Sequence, residues 1–73
     1  MTFTKQLRPA RQIDAFRSFA AQIKYAYVAP RAGKFLVTIL QTNSDGLDCQ
    51  WTENTEAEAI SALAEAGYRK EAA

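Results

Sequence analysis

One stretch, KFLVTIL from Lys34 to Leu40, restricts what this chain can become more than any other. As a strand it places Phe35, Val37 and Ile39 on one face and Leu36, Thr38 and Leu40 on the other. A core explains one apolar face. The second must meet a further element, another molecule or water. A chain of 73 residues has little to spare for it, since a domain of this size buries only about 60% of its extended-chain surface. One domain spanning residues 1–73 is therefore expected.

Hydrophobic spacing changes twice along the chain. Ile13, Phe16, Ala20 and Ile23 recur at intervals of three and four after Pro9, which predicts an amphipathic helix over 11–24. Alternation then takes over and predicts strands near 25–28, 34–42 and 47–52. The turns between them are APRAGK, punctuated by Pro30 and Gly33, and TNSDG, where Gly46 is free to take positive φ. In the third strand Leu47, Cys49 and Trp51 share a face, with Asp48 and Gln50 opposite.

A second helix is predicted over 55–66. Thr55 and Glu58 have the spacing of a capping box, Ile60, Leu63 and Ala64 form its apolar stripe, and Gly67 suits the residue that closes it. Tyr68 should fold back on the core and residues 69–73 should fray. Residues 1–8 read as a loose arm or a short strand. The expected fold class is α+β: a small two-layer domain of helix, three-stranded antiparallel sheet and helix (αβββα), with a possible extra N-terminal strand. Both helices would cover the Phe35, Val37, Ile39 face, joined by Leu47, Cys49 and Trp51. Phe35 and Trp51 would anchor the core.

Little of the usual catalytic chemistry is present. The chain has no histidine, which removes the commonest general base near neutral pH and the commonest metal ligand. Cys49 is alone and alternates with core-facing residues, so it reads as a small buried hydrophobe. NSDGLD does not keep the ligand spacing of an EF-hand, and AGKF lacks the upstream glycine and the following hydroxyl of a phosphate loop. No enzymatic activity, cofactor or metal is expected. MTFTKQLRPARQ has no signal-like apolar run, and no stretch reaches membrane-spanning length. A cytoplasmic, soluble protein without membrane contact is the expectation.

The net charge of +1 conceals a division. Residues 1–40 hold seven Lys and Arg against Asp14, net +6, and residues 41–73 hold Arg69 and Lys70 against seven carboxylates, net −5. Such a split either neutralises itself across the fold or leaves a basic and an acidic face that can steer a partner.

The layout from Arg8 to Tyr68, with RQIDAFRSFAAQ, the loop APRAGK, the hairpin and TEAEAISALAEA, resembles that of a double-stranded RNA-binding domain. That family grips phosphate partly through a lysine-rich start to its last helix. Here Glu53, Glu56 and Glu58 stand in that region, so the likeness is one of topology and does not carry RNA binding with it. The ending TEAEAISAL is also similar to small DNA-binding modules that lay a three-stranded sheet in the major groove.

The functional expectation is a non-enzymatic binding protein that occupies a surface of a larger protein or nucleoprotein complex. In size alone it is like the inhibitors made by phages and mobile elements, anti-CRISPR proteins among them. A nucleic-acid-binding module that uses the basic N-terminal half is the alternative, and a homodimer through Leu36 and Leu40 is a rival use of the same sheet. The candidate contact residues are Arg11, Arg17, Tyr25, Tyr27, Arg31 and Lys34.

Overall fold

The computed structural model describes residues 1–12, 15 and 18–71, with Ser18 and Phe19 described in backbone only. Its strands are β1 (Thr2–Arg8), β2 (Arg11–Gln12), β3 (Ser18–Phe19), β4 (Gln22–Arg31), β5 (Lys34–Leu40), β6 (Leu47–Glu53) and β7 (Arg69–Lys70), and its one helix among the described residues is α1 (Glu56–Glu65). Five strands form an antiparallel sheet in the order β6-β5-β4-β1-β7, while β2 and β3 pair with each other. The expected αβββα layout is thus replaced by a larger sheet with a helix on one face.

The predicted helix over 11–24 is the main correction. Arg11–Gln12 and Ser18–Phe19 pair as strands, and from Gln22 the chain belongs to the ten-residue β4. Ile13, Asp14, Phe16 and Arg17 lie outside the described residues. The reason is tertiary. The N-terminal segment is a full strand that needs a neighbour, and QIKYAYV supplies one. It pairs along Thr2↔Tyr27, Phe3↔Ala26, Thr4↔Tyr25 and Lys5↔Lys24. Period-two alternation begins at Gln22, inside what the spacing of Ile13, Phe16, Ala20 and Ile23 reads as helix. Local helix preference is worth tenths of a kcal/mol per residue and yields to sheet pairing of this extent.

The register continues beyond the sheet. Arg8 faces Gln22, Arg11 faces Phe19 and Gln12 faces Ser18, one residue back for each residue forward. β2 and β3 are therefore the far part of the β1–β4 hairpin, a two-stranded arm that runs past the end of β5. The molecule is correspondingly long, 52 × 21 × 21 Å.

The core lies between α1 and one sheet face. Phe3, Ala26, Val28, Val37, Ile39, Ala59, Leu63 and Tyr68 are buried, with Phe35, Trp51 and Ile60 packed against them. Val37 and Ile39 occupy the face read from KFLVTIL, whereas Phe35 and Trp51 are only half-buried. The other two expected core residues, Leu47 and Cys49, are exposed. For Leu47 the cause is a bulge: Ile39 faces Cys49, but Leu40 faces Leu47, so Asp48 is the extra residue and the alternation resets. Cys49 stays on the helix side of β6, the outermost strand of the sheet.

The helix ends follow the sequence closely. The Thr55 hydroxyl oxygen accepts from the Glu58 N–H at 3.1 Å, and the same hydroxyl donates to the Glu58 carboxylate at 3.1 Å. At the C-terminal end Gly67, with φ 91°, donates to the Ala64 carbonyl, and Tyr68 donates to the Leu63 carbonyl at 2.9 Å. This is a Schellman closure, and it brings Tyr68 back onto Leu63 in the core. The chain after it does not fray at once. Arg69 and Lys70 pair with Thr4 and Phe3, and the Glu71 N–H donates to the Thr2 carbonyl.

The two turns of the meander differ from expectation in one respect. Ala32 and Gly33, with φ 51° and 77°, make the two-residue turn between β4 and β5. In the β5–β6 loop Asn43, with φ 53°, takes the left-handed conformation expected of Gly46. Gly46 is instead approached closely by Gln41, whose Oε1 would lie 2.9 Å from a Cβ there.

Candidate functional site

α1 packs against β4, β5 and β6, and every buried strand residue belongs to the helix side of the sheet. Among the described residues no element covers the opposite face. This is the second face of KFLVTIL, and it is left to solvent.

Register and alternation set its composition. Across the middle run Gln50, Thr38, Tyr27 and Thr2, which are successive partners on β6, β5, β4 and β1. Toward one end lie Thr52, Leu36 and Ala29, then Arg31 and Lys34, which face each other beside the Ala32–Gly33 turn. Toward the other end lie Tyr25 with Thr4, Ile23 with Gln6, and Leu40 with Leu47. Arg69 joins from β7 opposite Thr4. Gln50 donates to the Thr38 hydroxyl at 2.9 Å, which holds two of these polar side chains together. Tyr27 is 40% exposed and Leu47 54%.

The charge on this face is mainly basic. Arg31, Lys34 and Arg69 are on it, and the carboxylate that the register brings to it is Glu71, at the outer edge opposite Thr2. Glu56, Glu58 and Glu65 lie on α1, and Glu53 faces Phe35 on the helix side. The bulge at Asp48 makes the difference. Without it Asp48 would alternate onto the open face beside Gln50. With it, Asp48 points to the helix side, where it forms an ion pair and hydrogen bond with Lys24, and Leu47 takes the place beside Leu40. A carboxylate is exchanged for a leucine.

A polar fringe ends the helix side of the sheet. The Asp48 carboxylate holds the Lys24 ammonium above its ordinary pKa, chiefly through their hydrogen bond. Burial raises the Tyr68 phenol above 10.0, opposed by the nearby Lys24 charge. Lys5 sits over the Tyr68 ring, 5.7 Å from its centre. Among the described residues no group of three or more Cys, Asp or Glu is placed to hold a metal ion.

The structure gathers four of the six contact residues expected from sequence. Tyr25, Tyr27, Arg31 and Lys34 share the open face. Arg11 is on β2 in the arm, away from them, and Arg17 lies outside the described residues. Sequence reasoning missed Arg69, Thr2, Thr4 and Gln6, because they reach this face only through the pairing of β1 with β4 and β7. The alternation TFTKQ was the available signal. No helix among the described residues is long and apolar enough to cross a membrane.

Neither protein-family models nor curated proteins nor solved structures give a match to this chain.

Proposed function

We propose that this protein is a binding module that acts without turnover, and that its working surface is the open sheet face. The partner is a protein surface with an apolar centre and carboxylates at its rim. The observation that supports this is the make-up of the face: two tyrosines, three leucines and neutral threonine and glutamine side chains in the middle, with three cations and one carboxylate, Glu71, toward its edges. Protein interfaces are enriched in tyrosine and arginine and depleted in Asp and Glu at their centre.

Charge complementarity selects the occupant. A second copy laid face to face would set two surfaces of net positive charge against each other, which opposes self-association. A nucleic acid would find three cations on this face, too few to neutralise more than about three phosphates.

Photo-crosslinking tests the reading. A crosslinking residue at Thr38 should capture a defined protein, the same residue at Ser61 on α1 should not, and Tyr27→Ala should abolish capture. Crosslinks from Ser61 alone, or a tight dimer in sedimentation that Tyr27→Ala dissociates, would overturn it.

A further inference from the structure

The outer edge of β6 is a second surface, separate from the open face. β6 ends the sheet on that side, and among the described residues no element pairs with its outer side. Hydrogen-bond alternation fixes which groups point there. Val28 exchanges both backbone bonds with Met1: its N–H donates to the Met1 carbonyl at 3.0 Å, and its carbonyl accepts from the Met1 ammonium at 2.9 Å. In an antiparallel sheet its β5 partner Val37 then bonds toward β6, where it faces Trp51. Trp51 bonds inward, so its neighbours Gln50 and Thr52 direct their N–H and carbonyl groups outward. Both residues are exposed.

The two edges of the sheet are unlike. β7 has two residues, Arg69 and Lys70, and short cationic edges resist pairing. β6 has seven residues with neither lysine nor proline, and its bulge at Asp48 blunts one end alone. The stretch 49–53 stays open to a further strand.

Charge decides what this edge accepts. From Phe35 to Tyr68 the chain holds six carboxylates and no lysine or arginine. Asp48 and Glu53 lie on β6 itself, and Glu56 and Glu58 follow in the first turn of α1. Lys24 already pairs with Asp48, whereas Glu53 forms no ion pair among the described residues. A second copy paired edge to edge would set these carboxylates against their like, and a cationic strand would meet the opposite sign. We propose that the 49–53 edge of β6 takes up an extended polypeptide segment by antiparallel strand addition. The segment carries Lys or Arg opposite Glu53 and an aliphatic side chain opposite the half-buried Trp51. Main-chain bonds to Gln50 and Thr52 supply affinity, and the alternate side chains supply specificity. This goes beyond the open-face reading and stands on backbone groups at the sheet's edge.

Amide chemical shifts of the full chain test it, in a titration with a capped peptide of sequence lysine-threonine-valine-threonine-valine-lysine. Its first lysine would lie opposite Glu53 and its first valine opposite Trp51. With peptide up to about 2 mM, which reads millimolar affinity, the Gln50 and Thr52 amides should shift and exchange more slowly. Thr52→Pro removes an outward N–H and no bond to β5, and should weaken binding about tenfold. Glu53→Lys should weaken it about fivefold, and should bind more tightly than wild type a second peptide with both lysines replaced by glutamate. Tyr27→Ala, on the open face, should bind within about twofold of wild type, so failure of this proposal and failure of the open-face reading are told apart. Circular dichroism confirms that each variant is folded. No shift at either amide, unchanged binding by Glu53→Lys, or protection of the two amides by self-association without peptide would each overturn the proposal.

Discussion

Asn43 stands in for a strand residue opposite Ile23. β5 ends at Leu40, which leaves the β5 side of β4 without a neighbour at its first residues. The Asn43 backbone N–H donates to the Ile23 carbonyl at 3.1 Å, and the Asn43 side-chain oxygen accepts from the Ile23 N–H at 3.0 Å. Its side-chain amide donates to the Ala21 carbonyl at 3.2 Å. The left-handed backbone, φ 53°, is one that asparagine tolerates better than most residues. One loop residue thus continues the sheet for a step and fixes the root of the arm.

Replacing Asn43 with Ala removes two side-chain hydrogen bonds and leaves a β-carbon in a left-handed conformation. The expected loss is about 2–4 kcal/mol, from about 0.5–1.5 per bond and about 1 for the backbone. Asn43→Gly should lose about 1 kcal/mol less, because it relieves the backbone cost alone. Chemical denaturation measures both, and the Ile23 amide should exchange faster in each variant. Equal stability of the two variants would show that the backbone conformation carries no cost.

Core truncations should rank by burial rather than by side-chain size. Phe3 and Leu63 are among the largest fully buried side chains, while Trp51 and Phe35 are half-buried. Phe3→Ala and Leu63→Ala should each cost about 3–5 kcal/mol, and Trp51→Ala clearly less. A denaturation midpoint lower for Trp51→Ala than for Phe3→Ala would contradict this placement of β1 in the core.

The β4–β5 turn holds a correctable strain. Ala32 has φ 51°, and Gly33 follows it with φ 77°, the pattern that favours Asn-Gly. Ala32→Asn or Ala32→Gly should stabilise the protein by about 0.5–1 kcal/mol. Thermal unfolding would show it as a rise of several degrees. A fall in the melting temperature would mean that the turn has another geometry.

Alkaline pH should destabilise the fold through Tyr68. Burial raises the phenol's pKa in the folded state above its ordinary 10.0, so the unfolded chain gives up this proton first as pH rises. The stability is complete below pH 10.0 and is lost as pH climbs through the folded value. Lys24, whose pKa is raised from 10.5 by its bond to Asp48, adds loss in the same direction. Tyr68→Phe removes the phenol contribution, so its stability should decline less between about pH 9 and 11 than that of wild type. An identical decline in the two proteins would assign the effect elsewhere.

The sequence by itself determined the local units. Thr55, Glu58 and Gly67 bound the helix, since capping and closure need only residues within one turn of each other. KFLVTIL declared its two apolar faces, since alternation is a property of a single strand. Ala32–Gly33 lies within the expected turn for the same reason. What the sequence misread were the features that depend on a distant partner. TFTKQLR becomes a central strand only because QIKYAYV lies beside it, and that pairing overrides helical spacing in the arm. The bulge at Asp48 exists only in the register between β5 and β6. It changes which residues meet across the sheet, and so keeps the Asp48 carboxylate off the open face. Helix periodicity and caps are written in neighbours along the chain. Register is decided between strands, where one extra residue sends each following side chain to the other face.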